Sequence, residues 1–175
     1  MSRNVLALAA LVSFAAGLRA GDVVEIDGLK SKAPDSWKKA APANSMQYAV
    51  FNLPKADGDS DDASLIIYFF GQGQGGGAEA NVKRWKDQFK APAGDKAKVE
   101  KLKVGDVEVT LVDVAGTWLS RPRPGDPNVT EKPDHRLVGV VFASPKGPYF
   151  FRLVGPAKTV EKHHSAFIDW VKNFK

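Results

Sequence analysis

LIIYFFGQGQGGGAEANVKRWKDQF, residues 65–89, decides the fold. It begins inside the apolar run SLIIYFF at 64–70, which does not alternate with polar residues. A strand with one wet face alternates, whereas a strand covered on both faces need not, so this run predicts a central strand. The glycine-rich segment 71–77 follows. Ala78–Phe89 then places Val82, Trp85 and Phe89 at i, i+3 and i+7, on one face of a helix, with Asn81, Lys83, Arg84, Lys86 and Asp87 on the rest. Strand, glycine loop and helix in that order also describe a phosphate loop, and GQGQGG at 71–76 matches G-x-G-x-x-G. A dinucleotide fold needs a parallel βαβ unit around that motif. Here the helix is followed by Lys98–Val104 and Val107–Val114 across the two-residue turn Gly105-Asp106, an antiparallel hairpin. The glycine segment therefore reads as the connection that folds a helix back over its strand.

Working outward, Asp22–Ile26 and Lys30–Pro34 read as short strands, Pro34–Trp37 as a turn whose tryptophan covers a core edge, and Ala40–Ala43 as a loop. Met46–Leu53 alternates, with Met46, Tyr48 and Val50 on one side and Ala49, Phe51 and Leu53 on the other. Lys55–Asp62 is a solvated acidic turn. Asp57, Asp59 and Asp61 have the spacing of a calcium loop, but its glycine and glutamate positions hold Asp62 and Tyr68. Ser120–Asp134 contains four prolines and a glycine and is expected to be a long loop. Arg136–Phe142 and Tyr149–Val154 form a second hairpin. A final helix, capped by Thr159, runs to Phe174 with Val160, His164, Phe167 and Val171 on its apolar stripe. Two helices and two strands needing cover on both faces predict an α+β fold: an antiparallel sheet of six to seven strands covered by helices on both faces.

At 175 residues the chain is the size of one domain, and 43% hydrophobic with 26% charged residues is globular composition. VLALAALVSFAAGL at 5–18 follows a basic start and is shorter than the ~20 apolar residues of a membrane span. Residues 1–20 are thus expected to be a secretory signal peptide, cleaved after Ala20 or after Gly17, leaving 21–175 as a single domain that is secreted or periplasmic. The chain has no cysteine, which excludes a lipid anchor, disulfides and thiolate chemistry. Removing Arg3 and Arg19 from the 25 basic residues leaves 23 against 20 acidic, a net of +3, with no basic stripe of the kind that tracks nucleic acid.

The three histidines form no metal set. His163 and His164 are adjacent on a helix, about 100° apart, and His164 reads as an interior or boundary histidine. No G-x-S-x-G elbow accompanies the serines. No catalytic, cofactor-binding or metal-binding residue is assigned. Trp118 at a strand end with Arg121, Arg123 and His135 along the proline-rich loop form the candidate partner-binding set, because tryptophan and arginine are enriched where binding energy concentrates.

Pro34-x-x-Trp37, the alternating strand to Phe51, Asn81 with Arg84-Trp85 and Gln88-Phe89, and YFFRLVGP at 149–156 before the last helix together resemble the Mog1/PsbP-like superfamily over nearly all of 21–175. The resemblance implies an α/β/α sandwich and a binding or accessory role without catalysis. Its members include an extrinsic photosystem subunit, a Ran-binding import factor and many bacterial exported proteins. No residue here matches the functional residues of the first two. The expectation is an exported, soluble, monomeric, non-enzymatic module that contacts a protein partner in the cell envelope, binding no nucleic acid and inserting in no membrane. The alternative is a small-ligand or phosphate-binding protein, or an enzyme, using Gly71–Gly77 at a helix N-terminus.

Overall fold

Five strands, a helix, four strands and a helix follow one another in the computed structural model, which describes residues 21–123 and 125–175. The expected signal peptide lies outside the described residues. Strands β1 (Val23–Ile26) and β2 (Leu29–Lys32) form a separate hairpin. The main sheet is built from β3 (Lys38–Ala40), β4 (Gln47–Leu53), β5 (Ala63–Phe69), β6 (Lys98–Val104), β7 (Val107–Ser120), β8 (Thr130–Ser144) and β9 (Gly147–Pro156). Their order is β3-β4-β5-β9-β8-β7-β6, and every neighbouring pair is antiparallel. Helix α1 (Ala78–Lys86) lies on one face and α2 (Ala157–Lys172) on the other. The expected α+β sandwich is therefore the observed one. No helix among the described residues is long and apolar enough to cross a membrane.

The strands read as continuous apolar runs sit in the middle. From Leu137 to Phe142 every residue of β8 is buried. Toward α2, Leu65, Ile67, Val140, Phe142, Phe151 and Leu153 meet Val160, Phe167, Trp170 and Val171, and Trp37 joins them as the expected lid. Toward α1, Trp85 and Phe89 cover Val112, Val114, Leu137, Val141, Phe150 and Val154. The helix seats closely because β8 carries Gly139 there: a Cβ would lie 2.3 Å from Trp85 Cε3. Cover on this side is incomplete. Ala63, Leu65 and Ile67 of β5 are buried, but Ser64, Ile66 and Tyr68 on its α1 face are only partly so.

Several local expectations are corrected. Lys38–Ala40 is a short edge strand that runs into the region read as a loop. A bulge between Gln47 and Ala49 turns Tyr48 away from the Val50 side, so its ring packs edge-on against Tyr149 at 5.2 Å. The expected loop 120–134 shrinks to residues 121–129, because β7 and β8 continue as a two-stranded ribbon pairing Ser120 with Thr130. Proline is tolerated there because Pro133 falls at a bulge: Gly116 pairs with His135 and Trp118 with Lys132, so one residue of β7 faces two of β8. Thr159 is not the cap of α2. Pro156 precedes that helix, and Asp59 from the acidic turn accepts hydrogen bonds from the Thr159 amide at 2.8 Å and hydroxyl at 2.6 Å. The acidic turn thus supplies the oxygen that the helix start lacks. His164 lies at the boundary, whereas His163 is buried and its Nε2–H donates to the Pro54 carbonyl at 2.8 Å.

Replacing Asp59 by alanine removes the remote cap and is expected to cost about 1 kcal/mol, read as a lower urea midpoint at unchanged slope, whereas Asp57→Ala leaves the midpoint in place. Tyr149 supplies a pH test. Burial, then the nearby Asp27 charge, pushes its hydroxyl up to about 12 from 10.0. The unfolded chain releases that proton first, so the stability is full below about pH 10 and is lost as pH rises through about 12. Tyr149→Phe should flatten that alkaline loss in pH-dependent melts.

Candidate functional site

Residues 88–90 leave α1 and run along the outer part of β7. Leu119 N–H donates to the Gln88 carbonyl at 2.7 Å, and Lys90 N–H donates to the Thr117 carbonyl at 2.9 Å. Phe89 and Trp118 face each other across this bridge. The outer ribbon is therefore held on one side by β8 and on the other by the segment after α1. Its α1 face carries Trp118. The bulge at Pro133–Asp134, where Asp134 takes φ +51°, resets the alternation of β8 so that both His135 and Lys132 return to that face.

Trp118 is partly exposed, and three basic side chains gather at its ring. His135 stacks on it with centroids 5.8 Å apart and planes at 24°. The Lys132 ammonium is 5.7 Å from the ring centroid, and the Arg152 guanidinium carbon is 5.3 Å from it. His135 Nδ1–H donates to the Pro133 carbonyl at 2.8 Å, which holds the ring in place. Arg152 comes from β9, donates to Gln88 Oε1 at 3.1 Å and lies beside the Tyr68 hydroxyl. Burial pushes its pKa below the ordinary arginine value, with Tyr68 opposing. The Trp118 indole nitrogen and Arg152 Nε are both closed off from solvent without an acceptor.

Of the four residues expected to bind a partner, the structure brings Trp118 and His135 into contact. Arg121 and Arg123 stand exposed in the connection beyond the ribbon. Arg123 Nε is 3.3 Å from Asp126, whose other oxygen accepts from the amide and side chain of Asn128. Buried Asp126 therefore shapes the connection. Arg152 was missed. The signal was present, since it is the one charge inside the apolar run Tyr149–Val154.

Asn81 was also misread, as a residue of the solvated side of α1, and it is buried. Its amide donates to the carbonyls of Gly75 at 3.0 Å, Gly76 at 3.3 Å and Gly77 at 3.0 Å, while its oxygen accepts from Arg84 at 2.9 Å. The glycine segment is gathered inward around this one side chain. Gly75 is required twice over: its φ is +81°, and a Cβ would lie 2.5 Å from Phe150. Glu79 stands in the first turn of α1, where it opposes an anion at the amides. The loop serves as the connection its antiparallel context implied.

On the α2 face, Arg136 meets Asp113 with Nε at 2.8 Å and Nη2 at 2.6 Å, also bonds Glu161, and has its pKa raised chiefly by the Asp113 bonds. His164 Nε2 lies 3.5 Å from Asp113. Two open depressions are lined elsewhere, one of about 410 Å³ between Lys32–Asp35 and Ala166–Asn173, the other of about 300 Å³ beside Asp113 and Arg136. Neither includes Trp118 or the glycine segment.

No family model matches the chain, and no curated protein matches it. Among solved structures, the solution structure of cyanobacterial PsbP (CyanoP) from Synechocystis sp. PCC 6803 is similar over 97% of this chain and 98% of that one, with a TM-score of 0.53 and 15% identity. A crystal structure of PA94, a protein of unknown function from Pseudomonas aeruginosa, is similar over 86% of this chain and 93% of that one, with a TM-score of 0.46 and 16% identity. The chain has the PsbP-like fold that its residues suggested.

Replacing Asn81 by alanine removes the side-chain bonds to the glycine carbonyls and to Arg84. Water can reach the freed carbonyls, so the expected loss is about 1 kcal/mol, measured by chemical denaturation. Asn81→Asp keeps an acceptor for Arg84 but turns a carboxylate on the glycine carbonyls, and should recover none of it.

Proposed function

We propose that the protein is an exported, soluble, non-enzymatic binding module that contacts a protein partner in the cell envelope through the outer β7–β8 ribbon. One observation carries the reading: Trp118 is held partly exposed by His135, Lys132 and Arg152 on a ribbon whose end presents Arg121 and Arg123. A rigid, partly exposed tryptophan beside a lysine and an arginine is the composition of a binding hot spot. The ribbon is suited to present it. Bonds from β8 and from residues 88–90 fix its backbone on both edges, so little ordering cost remains for association. The PsbP-like fold supports an accessory or binding role by analogy of architecture. Export rests on the leader-like residues 1–20.

Affinity capture from the envelope fraction of the source cells tests the reading, with wild type compared against single alanine variants at Trp118, Arg121, Arg123 and His135. Trp118→Ala is expected to weaken retention of the captured partner about tenfold or more, roughly 1.4 kcal/mol. Four variants that retain it like wild type would remove the contact set. In the same preparation, the mature chain is expected to begin at Gly21 or Leu18 by mass spectrometry, and retention of Met1 would overturn export.

A further inference from the structure

Strand β9 places one charge in an otherwise apolar run, at Arg152, and gives it no counter-charge. A guanidinium has five N–H donors. Among the described residues, Arg152 bonds the neutral Gln88 Oε1, has the Tyr68 hydroxyl as its other polar neighbour, and forms no ion pair. Its Nε–H is sealed from solvent with no acceptor. The neighbouring Trp118 indole N–H lacks an acceptor too, as do those of Trp37 and Trp170 in the opposite core, but among the described residues only at Trp118 does a guanidinium lie against the ring. The fold does neutralise its other sheet arginine: Arg136, on the opposite face, holds Asp113 and Glu161. The acids along the neighbouring segments are already engaged, Glu131 with Lys90 at 2.9 Å and Asp87 with Lys83 at 2.6 Å. Two touching side chains thus hold surplus buried donors, which an acceptor from outside the chain reaches once the partly covered Ile66 and Tyr68 side chains give way.

We infer that Arg152 and the indole N–H of Trp118 form a receiving site for one carboxylate, carried by an acidic segment of the partner protein. The inference rests on the partner-binding reading above and gives the partner its chemistry. A planar guanidinium matches a two-oxygen carboxylate, and the indole adds a third donor. A single desolvated cation balances a monoanion, whereas a phosphate dianion would bring a charge left over. Access lies over β5, where Ile66, the direct neighbour of Arg152, and Tyr68 are only partly covered because α1 packs over β7 and β8. Lys132 at the ring and exposed Arg121 further out extend the same positive charge along the ribbon, Arg123 being paired with Asp126, so an acidic segment lies with its charges matched.

The test is a titration of isotope-labelled protein followed at the Trp118 indole cross-peak, which Trp118→Phe identifies by its absence. The probes are a capped tetraglutamate peptide, a capped tetraglutamine peptide and inorganic phosphate. Tetraglutamate is expected to shift the peak saturably and tetraglutamine to leave it in place. Arg152→Met should weaken tetraglutamate binding about tenfold or more while raising the melting temperature by a few degrees, because an uncompensated buried charge has been replaced by an apolar chain. Arg152→Lys keeps the charge without the fork and should also lose about tenfold, which preserves the test should the methionine variant not fold. No shift with tetraglutamate, an equal shift with tetraglutamine, or wild-type binding by both Arg152 variants would overturn the site. Tighter saturation by phosphate than by tetraglutamate would overturn the carboxylate assignment. If tetraglutamate fails while Trp118→Ala still releases the captured partner, the ribbon surface stands and its carboxylate chemistry falls. If capture is also independent of Trp118, both fall.

Discussion

The seat of Trp85 on Gly139 is the contact on which the α1 side of the molecule depends. Helix α1 has nine residues and few apolar anchors, so it can cover a sheet only by lying very close to it. The missing Cβ of Gly139 provides that closeness, at the one strand where every neighbouring position is filled. The rest follows from the chain's covalent continuity. One turn before Trp85, Asn81 arrives where it can gather the glycine carbonyls. Just after it, Gln88 reaches Arg152 and residues 88–90 meet the outer part of β7. A bulkier residue at 139 would lift the indole and displace both groups together.

The two faces of the sheet are consequently unequal. Helix α2 has sixteen residues and seals its side with aromatic rings packed on one another, Trp170 and Phe174 against Phe151. The α1 side is closed over β7 and β8 and remains thin over β5. A charge that would be costly under α2 can therefore be held at the margin of α1, within reach of an arriving group. Arg136 and Arg152 mark the difference: the first is matched internally, the second is not.

Much of this architecture was legible in the residues. Unbroken apolar runs at 64–70 and 149–151 identified central strands, and Gly105-Asp106 identified a hairpin; the spacing of Val82 and Trp85 identified the covering helix, which ends at Lys86 so that Phe89 packs from a bridge beyond it. Trp118 and His135 were chosen from composition, and the fold brought them into contact. What was hidden depends on partners distant in the chain. Asp59 caps a helix a hundred residues away, which no local pattern records. Asn81 looked solvent-facing because polar residues on a helix usually are, and only the glycine carbonyls explain its burial. Prolines at 120–134 outweighed the strand signal, since a bulge that absorbs Pro133 is a property of two paired strands and not of one. Arg152 stood in plain view, but its lack of a counter-charge is a fact about its surroundings.

The bulge at Pro133–Asp134 acts as a phase shifter for the ribbon. Side chains alternate with a period of two, and the two-against-one count inverts that alternation once, midway along β8. Everything distal to it is presented with the opposite parity from what the sheet alone would dictate. The ribbon's tip can therefore grow or shrink by matched residue pairs while Lys132 and His135 stay in step with Trp118. An odd change inside the bulge would turn Lys132 and the residues beyond it to the other side. In a lineage of such chains, length variation past residue 119 would be quantised in twos, with the connection 121–129 free of that constraint.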